Sequence, residues 1–167
     1  MAVVDNRIYV STDNTPIDAV AVAGADTLDI VAKVPITSGD SSSSIYRIAE
    51  VPSNYIPVGG EITCDAITGL DDVDLGIYEN AEHGDGVLDV DALVDGMNIS
   101  SALAPGSGLS PISAITIANQ NKALYGLVSD VSSERQTYVL ALTINKDAAA
   151  TGSVIVRLRL VRREYAS

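Results

Sequence analysis

The chain has 167 residues, a formal net charge of −12 and a pI near 4.2, and it contains neither Phe nor Trp. This length suits one domain with a sizeable core, and the many β-branched side chains favour an all-β chain. The acidic charge argues against nucleic-acid binding, which depends on Lys and Arg that neutralise phosphates. We expect Val, Ile, Leu and Ala to fill the core, because Tyr is the only aromatic residue.

Residues 1–25 alternate short apolar stretches with polar turns. They end in a stretch of small residues, which has too few large side chains to form its own core. We interpret this segment as an extended N-terminal arm in front of a β-sandwich domain that spans residues 26–167. The arm lies across the domain or reaches a neighbouring subunit; a first strand within its own sheet is the alternative. Its candidate contact residues are Arg7, Ile8, Tyr9 and Val10.

The start of the chain lacks the basic and apolar regions of a signal peptide. No stretch approaches the roughly 18 apolar residues that a membrane span requires. We therefore expect synthesis and folding in a cytoplasm, without a membrane partner.

Alternation of apolar and polar residues predicts several strands in the first half of the chain. The predicted strands before residue 80 are 27–34, 45–51, 62–66 and 73–79. Pro35 ends the first of them, and the serine-rich loop that follows is expected to be exposed and mobile. We interpret PSNYIP as an irregular link that ends in a turn at VGG. The strands at 62–66 and 73–79 form a predicted hairpin with Ile62, Cys64 and Ala66 facing the core.

The segment from Asn80 to Pro111 is rich in Gly and Pro and is predicted to be mostly loop, with one helical turn at Asp89–Val94. A loop of this length is a candidate for contact with something outside the chain. Two short strands, 114–118 and 124–128, are predicted to follow it.

The C-terminal runs at 137–145 and 153–161 alternate strictly, which predicts an antiparallel hairpin with one buried face. The buried face of the last strand carries Val154, Val156, Leu158 and Leu160. The opposite face carries Arg157, Arg159 and, beyond the strand, Arg163. Because such a pair must bury one side against a second sheet, we predict a jelly roll or β-sandwich of about eight antiparallel strands.

The charges are unevenly distributed along the chain. No Lys or Arg occurs between Glu61 and Asp95, whereas four of the ten basic residues are Arg157, Arg159, Arg162 and Arg163. An acidic middle and a basic tail can attract each other between neighbouring copies, and solvation of the surface is the alternative. We favour subunit contact for Arg157, Arg159 and Arg163, because the apolar Ile155 and Val161 flank them.

Catalysis is not expected from this sequence. His83 is the only histidine, and although Glu82 and Asp85 are near it, no nucleophile motif accompanies it, so it is interpreted as a solvated loop residue. Cys64 is interpreted as a buried, inert thiol. Two acidic groups offer oxygen ligands for a hard cation, but neither matches an EF-hand, and helix capping or surface solvation is the preferred explanation. One group consists of Asp85, Asp89 and Asp91, and the other consists of Asp71, Asp72 and Asp74. We predict no catalytic residue, cofactor or metal.

The segment VDLGIYE, then a Gly- and Asp-containing loop, then LDVDALVDGMNIS, resembles small structural proteins of tailed bacteriophages. Those proteins carry an apolar-Asp-Leu-Gly-Ile/Leu-Tyr strand and then an Asp-rich segment with a buried Ala-Leu pair. The resemblance covers mainly residues 60–100 and implies a capsid decoration (cement) protein.

As a decoration protein, the chain would be a homo-oligomer, dimer or trimer, on the outer surface of a virion, where it joins major capsid protein subunits. The alternative function is a carbohydrate- or receptor-binding β-sandwich module of a phage fibre or tail. The absence of Trp weakens this alternative, because sugar sites usually stack their ligands on exposed aromatic rings.

Overall fold

The computed structural model describes the backbone of residues 20–23 and the whole of residues 27–128 and 136–163. Within these ranges the chain is all-β. The strands are β1 (Val20–Ala23), β2 (Thr27–Ile36), β3 (Ser44–Pro52), β4 (Tyr55–Cys64), β5 (Val73–Glu79), β6 (Val87–Met97), β7 (Thr137–Ile144) and β8 (Gly152–Arg162). The helical elements are two 3-10 turns, Ala81–His83 and Ile117–Asn119, and one short helix, α1 (Leu124–Leu127).

The strands form two antiparallel four-stranded sheets around a shared core. Sheet A has the order β1-β2-β8-β4, and sheet B has the order β3-β7-β5-β6. The chain changes sheet between β2 and β3, again after β3 and after β4, and once more between β7 and β8. Isolated bridges from Leu103 and Leu109 extend the free edge of β4. This alternation between layers is that of a jelly roll. The predicted all-β jelly roll or β-sandwich is therefore confirmed.

Both predicted hairpins are wrong, although all four of their strands exist. β4 and β5 lie in different sheets, and so do β7 and β8. Alternation identifies which face of a strand is buried, but it does not identify the strand alongside. The connections TGLDD and KDAAATG lead from one layer to the other, across sheets that in a sandwich lie about 10 Å apart.

Alternation does decide which side chains enter the core. Strand β2 buries every second residue, and β8 does the same with the four residues predicted from its parity. The strands β5 and β7 are buried on both faces. Ala66 is exposed, contrary to prediction, because β4 ends at Cys64. Tyr46, Tyr78 and Tyr138 are the largest fully buried side chains, so aromatic rings join the aliphatic residues inside the molecule.

Strand β6 occupies the segment that was predicted to be loop with a helical turn. It pairs with β5 irregularly, since Leu75 lies opposite Val94 and Ile77 lies opposite Asp89. Between these pairs β6 advances five residues where β5 advances two, so three extra residues bulge outward. The bulge breaks the period of two, which is why the sequence pattern did not indicate a strand.

The bulge of β6 lies over the outer face of sheet B at Gly76. A Cβ atom on Gly76 would lie only 2.2 Å from the carbonyl oxygen of Val90 and 2.3 Å from that of Asp89. Glycine is therefore required where the backbone of β6 comes this close to β5. This glycine belongs to the VDLGIYE segment.

Arg47 fixes the next part of the same face. Its guanidinium donates to the carbonyl oxygens of Glu79 and Asp85 at 3.2 and 3.1 Å, and it lies 3.0 Å from the Asp85 carboxylate. Its side chain is only 9% exposed. Nearby, the hydroxyl groups of Tyr78 and Thr143 form a hydrogen bond in the interior. The outer face of sheet B is thus covered by the chain itself.

Two predicted breaks in the first half of the chain are wrong. β2 continues through Pro35 to Ile36, and the predicted turn VGG lies inside β4. Among the described residues, β1 covers β2 only from Leu28 to Val31, so Pro35 lies beyond this pairing, where its missing amide donor is tolerated.

Two further predictions concern loops. The short strands predicted at 114–118 and 124–128 are wrong, because these residues form turns, the second 3-10 turn and α1. The serine-rich loop is largely exposed, as predicted, but it is tied to the loop between β7 and β8. The amide of Gly39 donates to Ala148 at 2.8 Å, and the amide of Ser42 donates to the Asp147 carboxylate at 2.7 Å.

The end of the predicted arm, Val20–Ala23, is strand β1, which pairs antiparallel with β2 of the same chain. This part matches the alternative that was left open, a strand in its own sheet. Residues 1–19, with the candidate contacts Arg7, Ile8, Tyr9 and Val10, lie outside the described residues.

Candidate subunit-contact surface

The outer face of sheet A carries a groove of about 400 Å³, termed here the sheet A groove. Its lining includes Asp29, Val31, Val58, Gly59, Gly60, Arg157 and Arg159. Two of the three arginines predicted as contacts therefore come together here. Val31 and Val58 are 36% and 46% exposed, so the groove offers apolar surface beside charged groups.

The groove exists because two adjacent residues of β4 have no side chain. β4 shifts its register against β8 between Pro57 and Gly59, which is a β-bulge. A Cβ atom on Gly60 would lie 1.9 Å from the carbonyl oxygen of Arg157, so the strands can approach only with glycine there. A Cβ atom on Gly59 would meet nothing within 4 Å. The space beside Val58 is consequently open.

Arg159 is paired within its own chain. It lies opposite Asp29 on the neighbouring strand, and its Nε and Nη2 atoms donate to the two carboxylate oxygens at 2.7 and 3.2 Å. The Arg159 guanidinium holds the pKa of the Asp29 carboxyl below its usual value of 3.8. A bidentate pair fixes the position of the guanidinium plane at the rim of the groove.

Arg157 has a looser partner in Glu61, with 3.8 Å between the guanidinium and the carboxylate. The other oxygen of Glu61 accepts the amides of Gly106 and Gly108 at 2.6 and 3.1 Å, which fastens that loop beside β4. The charges of both groove arginines are therefore matched by acids on the same face. In a chain of net charge −12, this face is close to neutral.

The same face continues into a second depression of about 330 Å³. Lys33, Thr63 and Ile155 lie at its base in one row across the sheet, and the segment 102–105 forms its wall. Ile155 was predicted to flank the arginines, and it does so. The outer face of sheet A is thus an extended, partly apolar surface.

Arg163, the third predicted arginine, lies beyond the end of β8 and away from the groove. Its guanidinium donates to the Tyr125 hydroxyl at 3.3 Å, and its main-chain amide donates to the Asn54 carbonyl at 2.9 Å. These contacts attach the end of β8 to α1.

Sequence reasoning missed Val31, Val58 and the glycine pair as parts of this surface. The available signal was the alternation on both sides of VGG, which continues a strand through the two glycines. The two adjacent glycines instead led to the prediction of a turn.

His83 and Cys64 have surroundings typical of structural residues. His83 is exposed, and its Nδ1 lies 2.6 Å from the Asn80 side-chain oxygen. Cys64 is buried, and burial raises the pKa of its thiol, which favours the unreactive protonated form.

The acidic residues predicted as possible cation ligands have other partners. Asp71 lies 2.7 Å from the Lys146 ammonium, and Asp74 accepts the Gly96 amide and the Asn145 side-chain amide at 2.8 and 2.7 Å. Across the described part of the chain, no three His, Cys, Asp or Glu side chains are arranged to hold a metal ion. None of the described helical turns has the length and apolar character of a membrane span.

The architecture defines a single jelly roll with one outer face closed by its own chain and the other carrying a groove. Two solved structures share this fold over almost the whole chain. A chain from the capsid of Ralstonia phage GP4 has a TM-score of 0.54 at 12% identity, covering 99% of this chain and 100% of that chain. A chain from the cyanophage Pam1 capsid asymmetric unit has a TM-score of 0.51 at 14% identity, covering 92% and 100%.

No protein-family model and no curated protein matches the sequence. The resemblance to phage structural proteins that the sequence suggested is confirmed at the level of the fold.

Proposed function

We propose that this protein is a virion structural protein that decorates the outside of a phage capsid and stabilises the shell by bridging major capsid subunits. The observation that carries the proposal is the likeness, over 99% of the chain, to a chain of a phage capsid. The jelly roll includes all eight of the described strands. The proposal includes no catalytic step.

The proposed mechanism is the burial of apolar surface at subunit joints, at about 25 cal/mol per Å² removed from water, repeated over many copies. We assign contact with the shell to the N-terminal segment, through Arg7, Ile8, Tyr9 and Val10. We assign contact between copies of this protein to the outer face of sheet A. Its exposed valines and its internally paired arginines support this assignment, because little net charge must be desolvated there.

The test is cosedimentation with empty shells assembled from the major capsid protein encoded in the same genome. The full chain is expected to pellet with the shells, and a chain lacking residues 1–19 is expected to stay in the supernatant. This truncation retains β1, so that β2 keeps its neighbour.

The point variant Ile8→Asp in the full chain should weaken binding at least about tenfold, which corresponds to about 1.4 kcal/mol. Glu82→Gln, on an exposed 3-10 turn, is the matched control and should bind normally. Normal binding by the truncated chain, with an unchanged circular dichroism spectrum, would refute the shell contact that we assign.

The alternative, a carbohydrate-binding module, receives less support from the structure. Of the tyrosines in the described ranges, Tyr46, Tyr78 and Tyr138 are buried, and Tyr55 and Tyr125 are only partly exposed. Sugar binding by ring stacking needs an open aromatic face. A glycan array with the full chain is expected to show no binding.

A further inference from the structure

A second distinctive surface lies beside β6, at the edge of sheet B. It surrounds a cleft of about 250 Å³ and is termed here the acidic corner. We define it by Asp89, Asp91, Asp95, Ile115, Ile117 and Asn119; Ile117 stands between two residues that line the cleft. The corner thus combines three carboxylates with an apolar turn.

Ile117 is the most exposed large apolar side chain in the described ranges, at 88%. It is held on a hydrogen-bonded turn, in which the Asn119 amide donates to the Thr116 carbonyl at 2.9 Å and the Lys122 amide donates to the Asn119 carbonyl at 3.0 Å. Because the turn is already ordered, its backbone loses little conformational freedom when a partner covers this side chain.

The acidic corner and the sheet A groove carry groups that can pair, namely carboxylates with exposed guanidinium groups and an isoleucine with two valines, although the groove as a whole is close to neutral. The three carboxylates of the corner belong to the stretch from Glu61 to Asp95, which contains no Lys or Arg. The rim of the groove carries Arg157 and Arg159, whose side chains are 47% and 63% exposed. The Asp29 pair uses two of the five N–H groups of Arg159, so that donors remain for a second carboxylate.

We propose that the acidic corner of one copy binds the sheet A groove of a second copy, with Ile117 between Val31 and Val58 and the β6 carboxylates beside the groove arginines. The occupant of the groove is therefore another molecule of this protein. This inference rests on the self-association included in the proposed function, but its test requires no shell.

The two surfaces also explain how copies of a strongly acidic chain can associate. Copies of net charge −12 repel each other unless the contact brings acids next to bases. The corner lies at an edge strand of sheet B, whereas the groove lies on the outer face of sheet A, so the contact joins unlike surfaces. Each copy then keeps a free corner or a free groove for a further copy until the assembly closes.

The test measures the mass of the full chain by sedimentation velocity in the absence of shells. The wild-type chain is expected to form oligomers that weaken as salt rises, since exposed charge pairs are screened. Ile117→Asp disables the corner and Val58→Glu disables the groove, and each should weaken association at least about tenfold. Val87→Asp is the matched control, because Val87 is 56% exposed but belongs to neither surface.

An equimolar mixture of the two variants distinguishes this contact from a symmetric one. Ile117→Asp retains an intact groove and Val58→Glu retains an intact corner, so the mixture should form a one-to-one pair although each variant alone is monomeric. All three substituted residues are exposed, and unchanged thermal unfolding verifies that each variant is folded.

Three results would overturn the proposal: a monomeric wild-type chain, undiminished association of either variant, or a mixture that stays monomeric. Failure of shell binding with intact self-association would instead refute only the proposed shell contact.

Discussion

The outer face of sheet B is covered from within, because the bulge of β6 crosses Gly76 and the buried Arg47 holds the loop that follows β5. The outer face of sheet A carries a groove beside Gly59 and Gly60, with arginines that are half exposed. Both faces depend on glycine, but with opposite results. In sheet B the missing side chain admits another part of the same chain, whereas in sheet A it leaves space at the surface. Of the two outer faces, that of sheet A is therefore the one that stays open to contact with other molecules.

We expect the largest effect from a substitution that forces the bulge of β6 away from β5, because this would uncover the outer face of sheet B. Gly76→Ala places a Cβ atom only 2.2 Å from the Val90 carbonyl oxygen, and neither backbone can yield without loss of pairing. We expect a loss of about 3 kcal/mol in the free energy of unfolding, measured with urea.

The matched control is Gly126→Ala in α1, where a Cβ atom would meet the Lys122 side chain at an ordinary 3.5 Å. It should be neutral or slightly stabilising. Equal effects of the two substitutions would show that the closure of sheet B does not depend on Gly76.

The arginines of the two faces provide a second, smaller contrast. Arg47→Met removes a largely buried guanidinium and its hydrogen bonds to the partly buried Glu79 carbonyl oxygen and the exposed Asp85 carbonyl oxygen, so we expect a loss of about 1.5–3 kcal/mol. Arg159→Met removes an exposed pair with Asp29 and should leave the unfolding midpoint nearly unchanged.

Urea titrations of both arginine variants check this expectation, with Arg47→Lys as a control that retains a charge but not the fork of donors. A larger loss for Arg159→Met than for Arg47→Met would reverse the assignment of closed and open faces.

These contrasts also show what the sequence could predict. β2 is buried on one face along its whole length and β8 from Val154 to Leu160, so a period of two reveals them and places Arg157 and Arg159 on the outer side. This alternation does not indicate which strand lies next to β2 or β8. In this jelly roll β4 and β5 lie in different layers, as do β7 and β8, and this is why both predicted hairpins failed.

The missed parts of the candidate surface have a common cause. The groove depends on the bulge at Gly59, and β6 depends on a bulge of three residues. A bulge shifts the alternation of inward and outward side chains, so the pattern resembles a turn or a helical segment. The pairing of Arg159 with Asp29 joins residues 130 positions apart and follows only from the sheet order.

The smallest expected effect concerns two carboxyl groups, Asp29 in sheet A and Asp89 in sheet B. Their pKa values are shifted in opposite directions. The pKa of Asp29 is lowered by the hydrogen bonds from Arg159. The pKa of Asp89 on β6 is raised by its partial burial and by its contact with Asp91. The folded chain therefore binds the Asp89 proton more tightly than the unfolded chain does, and it binds the Asp29 proton less tightly.

The signs of the stability changes follow from these directions. Ionised Asp29 stabilises the fold above its unfolded pKa of about 3.8, and the contribution is lost as pH falls through the lower folded pKa. Ionised Asp89 destabilises the fold, so stability declines as pH rises from about 3.8 through its raised folded pKa. At neutral pH, Asp29→Asn should lower the urea midpoint slightly and Asp89→Asn should raise it slightly.

Both differences from the wild-type chain should shrink as the carboxyls become protonated, and the Asp89→Asn difference should vanish first on acidification because that carboxyl has the higher folded pKa. Urea midpoints of the three chains at a series of pH values between about 7 and 3 measure this order. A midpoint shift of the same sign for both variants at neutral pH would mean that the two carboxyls experience similar surroundings. The contrast between the paired acid of sheet A and the crowded acid of β6 would then be wrong.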